Sequence, residues 1–287
     1  MEKVSDRRPP VTVLITAYNE VDYIAGAVRS ALVQAYDNLE VVVIDDGSTD
    51  GTEDMLKQRF GDDRLKVFSL DRSGRGKSLN YGLDVADGTF VAVLDADDRC
   101  LPGRIKKQVD FLENNKDVGV VGSEYVRLDK IRNEFHIRKY PICDREIRRE
   151  MSKYIPLAHS SVMFRRRAVE SVGGYNKSLC SHVDFELWIR VAQNWKLANI
   201  PEPLVVRHIR SDSYWHRNFG AHARNAHLAK LNARAVAELS LPFYYYAFPI
   251  ARLAYSLLPD RLKRTVRHLL SDIEEQDLEE SPQIPFS

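Results

Sequence analysis

The chain has 287 residues, room for one large domain or a medium domain with an appendage. Hydrophobic residues make up 44% and charged residues 29%, which excludes wholesale disorder. With 42 Lys and Arg against 41 Asp and Glu the formal net charge is +1, so the chain is not built to neutralise nucleic-acid phosphates, and no nucleic-acid partner is expected.

Val11 to Thr16 is a β-branched run and reads as a first strand. Ile24, Ala27, Val28, Ala31 and Leu32 then recur at helical spacing. Leu39 to Ile44 is a second strand, ended by the turn residues Asp45-Asp46-Gly47-Ser48. A helix over Asp50 to Phe60, a strand over Leu65 to Leu70 and a helix through Leu79, Leu83 and Ala86 follow, the last stopped by Asp87-Gly88. Phe90 to Leu94 is a fourth strand, and Ile105, Val109 and Leu112 mark the next helix, with Pro102 near its first turn. Strands apolar on both faces and separated by helices imply an α/β fold with a mostly parallel sheet covered on both sides. Such sheets bind ligands beyond the carboxyl ends of their strands.

Val118 to Val126 is strand-like again, and the Arg- and Lys-rich stretch from 127 to 153 reads as a mobile connection with a short helix. Ser160 to Phe164 and Leu204 to Val206 are expected as strands and Asp184 to Ala192 as a helix. Arg165-Arg166-Arg167 reads as a surface run at a helix start. Beyond Ser211 the chain turns into Ala-rich helix, and from Ser271 into an acidic, Pro-containing tail expected to fray. The expected division is a catalytic domain over 1–210 and a helical C-terminal region over 211–287. Cys100, Cys143 and Cys180 form no C-x-x-C pair. The first ten residues hold no apolar signal core, and no uncharged apolar run is long enough to span a bilayer. A reducing, cytoplasmic location follows as the expectation.

Chemistry concentrates at two strand ends. Asp45 and Asp46 close the second strand, and Asp95, Asp97 and Asp98 follow the fourth. Parallel strands bring both groups to one edge, where like charges need a cation or hydrogen-bond donors to compensate them. Arg99 is the one basic residue in these runs, so a bound Mn²⁺ or Mg²⁺ is the economical solution. Asp50, by contrast, reads as a helix cap. Gly76-Lys77-Ser78 suggests a P-loop, but that motif needs a glycine where Asp71 stands. What remains is a basic, Gly-rich helix start able to contact a diphosphate through free N–H groups, Arg75 and Lys77.

Pro10 to Glu20, Val41 to Thr52, Arg75 to Asn80 and Val93 to Asp98 together resemble, in order and spacing, the family 2 glycosyltransferases; the likeness continues through His159 to Ala168, Val172 to Tyr175 and Val183 to Trp188. The resemblance implies the GT-A nucleotide-sugar-binding fold and a metal-dependent, inverting transfer of sugar from a nucleoside-diphosphate donor, UDP by preference, to a glycan or lipid-linked acceptor. It implies that Thr16, Tyr18 and Glu20 line the base and ribose pocket and that Asp46 bonds the base edge. Arg75 and Lys77 would approach the diphosphate. Asp95 and Ala96 would lie by the ribose, Asp97 at the metal with Asp98 and His208 as further ligands, and Asp184 would be the catalytic base. His208 with Ser211 and Ser213 resembles a segment that closes over the diphosphate. Asp184 also reads as a helix cap, and Val183 stands where many relatives carry Glu.

Leu241 to Pro259 is apolar and aromatic, and Arg261, Lys263, Arg264 and Arg267 follow. Residues 241–267 therefore read either as a helix lying in a membrane interface or as one packed on the catalytic domain or a second copy in a homo-oligomer. Two other functions stay open: a sugar nucleotidyltransferase, though its Gly-rich turn is replaced here by Thr16-Ala-Tyr-Asn-Glu20, and a non-catalytic sugar-nucleotide-binding module.

Overall fold

The computed structural model describes residues 8–129, 134–208, 221–259 and 262–263. In chain order its elements are β1 (Val11–Ala17), α1 (Ile24–Leu32), β2 (Leu39–Asp45), α2 (Thr52–Arg59), β3 (Leu65–Ser69), α3 (Arg75–Val85), β4 (Phe90–Asp95), β5 (Arg99–Cys100), α4 (Arg104–Asn114), β6 (Val118–Asp129), β7 (Glu134–Arg138), α5 (Asp144–Glu150), β8 (Met163–Arg165), α6 (Arg166–Glu170), α7 (Val183–Val191), β9 (Lys196–His208), α8 (Ala221–Glu238) and α9 (Ala247–Leu257). Short 3₁₀ turns span His159–Ser161 and Phe243–Tyr246.

The strands form one sheet in the order β3-β2-β1-β4-β8-β6-β9-β5, with β7 paired to β6. β3, β2, β1 and β4 run parallel, β8 enters antiparallel, and β6 and β9 are again parallel to each other. This is the GT-A arrangement of a mostly parallel sheet between helices.

The two-residue period of a strand divides the core. Val11, Val13 and Ile15 of β1, with Val41 and Val43 of β2, face a layer built by α1, α2 and α4. Leu14, Val42 and Ile44 face α3, α5, α6 and α7. Leu231 and Ala235 of α8 belong to this second layer, so α8 shares the core of the sheet.

Three local expectations change. The stretch 127–153 holds the end of β6, the strand β7 and helix α5; its charges pair locally, as Arg148 does with Asp144 at 2.6 Å. The last long strand begins at Lys196, not Leu204. Pro201 and Pro203 hide it, because proline cannot donate to a ladder, and the β6–β9 register slips where Glu124 faces Pro203. Arg165 is not a surface residue: it is 5% exposed and its Nε donates to Val118 O at 2.9 Å, clamping β8 to the start of β6.

Candidate active site

The register of β1 sets Ala17 beside Asp45 and Thr16 beside Asp95, so both acidic strand ends lie on one edge. The loops leaving β1 and β2 are sewn together. Asn19 N donates to Ser48 Oγ at 2.9 Å, Thr49 N to Asn19 Oδ1 at 2.9 Å, and Glu20 N to Thr52 Oγ1 at 3.1 Å. Asn19 sits in the left-handed region at φ 56°, a conformation asparagine tolerates. Asp50 accepts from Thr52 N at 3.0 Å and Val21 N at 3.1 Å, so it serves the turn before α2 and joins it to the β1 loop. These bonds hold half-buried Thr16, Tyr18 and Glu20 along the crevice rim.

Asp46 is 2% exposed and engaged by its own chain. One oxygen accepts from Ser73 N at 2.8 Å and Ser73 Oγ at 3.0 Å, Gly74 N reaches both oxygens, and Arg72 forms an ion pair with the other. The Arg72 guanidinium lies 3.6 Å from the centre of the Tyr18 ring. Asp46 therefore anchors the Gly-rich loop that opens α3, and Tyr18 is covered by a cation. Gly47, at φ 76°, must be glycine: a Cβ there would meet Arg72 N at 2.8 Å.

Asp95 forms the centre. Arg75, on the first turn of α3, pairs with Asp95 Oδ1 and donates to His159 Nδ1 at 2.9 Å. The ring proton of His159 is then on Nε2, which donates to Tyr175 Oη at 2.9 Å. Ser160 Oγ accepts from Asp95 N at 3.1 Å. Burial opposes ionisation of Asp95, but the charge of Arg75, with that of Arg207, outweighs it and holds the carboxyl far below the usual range. Arg75 is enclosed by protein yet 41% of its side chain meets solvent, the signature of a crevice floor. Burial weakens its charge too; Asp95 and then Asp184 restore it, so Asp184 lies within electrostatic reach of Arg75. Burial, followed by the Asp184 charge, also drives the Tyr175 hydroxyl upward.

Asp184 is the second residue of α7, and the cap position belongs to His182 at φ 53°. The carboxylate thus sits in the positive field of the helix start rather than capping it. Burial pulls the His182 imidazole down to about 4 despite the Asp184 charge, so it is neutral beside that acid at neutral pH. Ser181 Oγ lies 2.8 Å from His227 Nδ1 and 3.3 Å from His182 Nδ1, which ties α8 to the start of α7.

Asp97, Asp98 and His208 form the second side. Asp98 is 2% exposed; Arg207 Nε donates to one oxygen at 3.2 Å and His208 N to the other at 3.1 Å. Burial still pushes its carboxyl up to about 7, the pull of Arg207 notwithstanding, with Asp95 and Asp97 adding to the rise. His208 Nδ1 donates to Asp97 O at 2.6 Å, which leaves Nε2 as the ring's lone-pair nitrogen. Asp97 and His208 line a cavity of about 250 Å³ with Asp22, Arg29, Arg59 and Arg99. No cluster of three His, Cys, Asp or Glu side chains spaced for a metal occurs among the described residues. The crowded acids are compensated instead by Arg72, Arg75 and Arg207, which come from outside the acidic runs. Crowding alone therefore does not demand a metal. The donor set still suits a hard cation in part: a histidine whose other nitrogen is fixed by a carbonyl, beside an aspartate, leaves positions for phosphate oxygens. Asp98 fits less well, since each of its oxygens already accepts a hydrogen bond. Ala96 is buried between the two acids, and Lys77 is exposed on α3. Ser211 and Ser213 lie outside the described residues.

Sequence reasoning assigned no role to Arg72, Tyr175 or Arg207 and treated His159 as a lone histidine. Arg72 and Tyr175 lie within or next to the quoted motifs. Arg207 carried only the signal of being next to His208.

Residues 12–173 match the family model described as glycosyl transferase family 2. An uncharacterized glycosyltransferase of Haemophilus influenzae is 35% identical over 216 residues, 69% of this chain; the chain spans only 64% of that protein's length. The putative glycosyltransferase EpsE of Bacillus subtilis is 32% identical over 254 residues, covering 85% of this chain and 89% of EpsE. Among solved structures, S. aureus TarS 1-349 in complex with UDP-GlcNAc aligns with a TM-score of 0.65 at 20% identity, over 86% of this chain and 71% of that one. Mannosyltransferase PcManGT from Pyrobaculum calidifontis, in complex with GDP-Man and Mn²⁺, aligns with a TM-score of 0.61 at 22% identity, over 93% and 81%. At these identities the two structures share a fold with this chain. The family-model match and the EpsE alignment reach further, and on them the chain belongs to glycosyl transferase family 2.

Proposed function

We propose that this glycosyltransferase moves a sugar, with inversion, from a nucleoside-diphosphate donor to an acceptor hydroxyl in the synthesis of a polysaccharide, glycolipid or glycoprotein glycan. The observation that supports the reading is the Asp95–Arg75 ion pair at a strand end, with a second, differently held carboxylate, Asp184, within electrostatic reach of the same guanidinium.

Thr16, Tyr18, Glu20 and Asp46 border the nucleoside side, with Asp46 also holding the loop over which the diphosphate lies. Arg75 and Lys77, at the start of α3, approach the diphosphate, where cations and backbone N–H groups stabilise negative charge. Asp97 and His208 would hold a Mn²⁺ or Mg²⁺, which when bound supplies positive charge to the departing diphosphate. Asp95, kept ionised, fixes Arg75. Asp184 accepts the proton of the acceptor hydroxyl as that oxygen bonds the anomeric carbon from the face opposite the nucleotide. The bond from that carbon to the diphosphate oxygen breaks, and its electron pair leaves with the nucleoside diphosphate. UDP is the donor nucleotide favoured by resemblance, and TarS is a fold neighbour seen with UDP-GlcNAc.

The test is a panel of UDP, GDP and dTDP sugars, scored by thermal stabilisation with Mn²⁺ and with chelator, followed by transfer assays with the best donor. A specific ligand raises stability by mass action. Release of pyrophosphate from a sugar phosphate and a nucleoside triphosphate would instead identify a nucleotidyltransferase. Binding without hydrolysis or transfer for any donor–acceptor pair would leave only a binding module.

A further inference from the structure

The C-terminal aromatic segment is not used by the chemistry above. The 3₁₀ turn and α9 pack on α8 through Pro249 and Ser256, which are buried. Their other face is open. Phe243 is 83% exposed, Ile250 64% and Leu257 76%, and Tyr244, Phe248 and Leu253 are exposed with them. Tyr246, Ile250, Leu253 and Leu257 follow at spacings of four, three and four, one stripe of a helix. So large a contiguous apolar and aromatic patch marks an interaction surface.

Charge decides what covers it. Residues 221–267 contain eight Lys and Arg against two acids, on a chain whose total is +1. Lys153 Nζ stands 5.0 Å over the Phe248 ring, and Arg252 donates to Lys153 O at 2.6 Å. No carboxylate pairs with Arg252 among the described residues. A second copy seated on this face by two-fold symmetry would set like charges against each other. An apolar, aromatic stripe beside a basic set is matched by lipid tails below anionic headgroups. No described helix is long and apolar enough to cross a membrane, so the segment would lie on the surface.

We infer that the 3₁₀ turn and α9 dock this protein in the plane of an anionic lipid bilayer. The docking does not depend on the transferase reading, because it is measured without donor or acceptor.

The experiment is sedimentation of the full chain with phosphatidylcholine vesicles, with and without phosphatidylglycerol. The expected result is co-sedimentation with the anionic vesicles only, weakened by raising salt to about 0.5 M, where screening shortens the reach of charge to a few ångströms. The exposed double variant Ile250→Ser, Leu257→Ser should lower the partition about tenfold or more, with an unchanged circular-dichroism melt. Equal sedimentation with neutral vesicles, or retention by the double variant, would overturn the inference. So would self-association that the double variant abolishes, which would make the occupant a second copy. Binding that appears only after removal of residues 271–287 would also overturn it, by making the acidic tail the occupant.

Discussion

The two halves of this sheet treat their acids in opposite ways. At the ends of β2 and β4, Asp46, Asp95 and Asp98 are each paired with an arginine, and Asp46 and Asp98 also accept from backbone N–H groups, before any ligand arrives. Asp184, by contrast, makes no hydrogen bond or ion pair among the described residues and feels the field of its helix, with Arg75, Tyr175 and His182 within electrostatic reach. A carboxylate held ionised by a guanidinium, as Asp95 is, is a poor proton acceptor but a good scaffold; Asp98, which burial pushes up to about 7, differs from it in this. A carboxylate with unused oxygens can take a proton. On the proposed mechanism, this contrast fits positioning by Asp46 and Asp95 and proton transfer by Asp184.

The sharpest way to break that contrast is Asp184→Asn. It should reduce transfer by about 10²–10⁴-fold, the usual worth of a general base, with donor affinity unchanged in calorimetry. Near-normal turnover would remove the base assignment. Asp97→Ala should act on the other side, lowering Mn²⁺-dependent donor affinity by about ten- to a hundredfold and leaving chelator-resistant binding alone. Equal donor affinity with and without Mn²⁺ in the parent protein would sink that expectation.

The halves are also tied mechanically. Asn80 of α3 receives Tyr175 N at 2.8 Å and donates to Tyr175 O at 2.8 Å, both buried. Asn80→Ala should cost about 1–3 kcal/mol in urea unfolding, because it orphans buried backbone groups, and should slow transfer through loss of the His159–Tyr175 contact. A smaller effect concerns pH. His182 falls from 6.5 to about 4 in the fold, so between those values the unfolded chain holds a proton that the folded one lacks. The stability from burying it neutral is complete above about pH 6.5 and is lost as pH falls towards 4. His182→Gln should therefore narrow the difference in melting temperature between pH 7 and pH 5. Smallest of all, Leu257→Ser should shift stability by no more than about 0.5 kcal/mol, since that side chain touches little of the fold.

Much of the first half was legible from residues alone, because each strand from Val11 to Leu94 is a compact apolar run bounded by turn residues, and each helix repeats with its own period. The second half was less so. Pro201 and Pro203 broke the pattern of β9, and the charges of 127–153 masked β7, although the short helix expected there is α5. The acids of the site were legible by type and place, but the arginines that compensate them were not. Arg72, Arg75 and Arg207 lie 26, 20 and 109 positions from their partners.

By itself the sequence determined the first four strands with the helices between them, the edge on which the acids gather and the family that uses such an edge, since periodicity and turn chemistry act over a few residues. Only the tertiary structure decided which acids are occupied and which remains open to a proton. That depends on side chains distant in the chain and on how burial and neighbouring charge balance at each carboxylate.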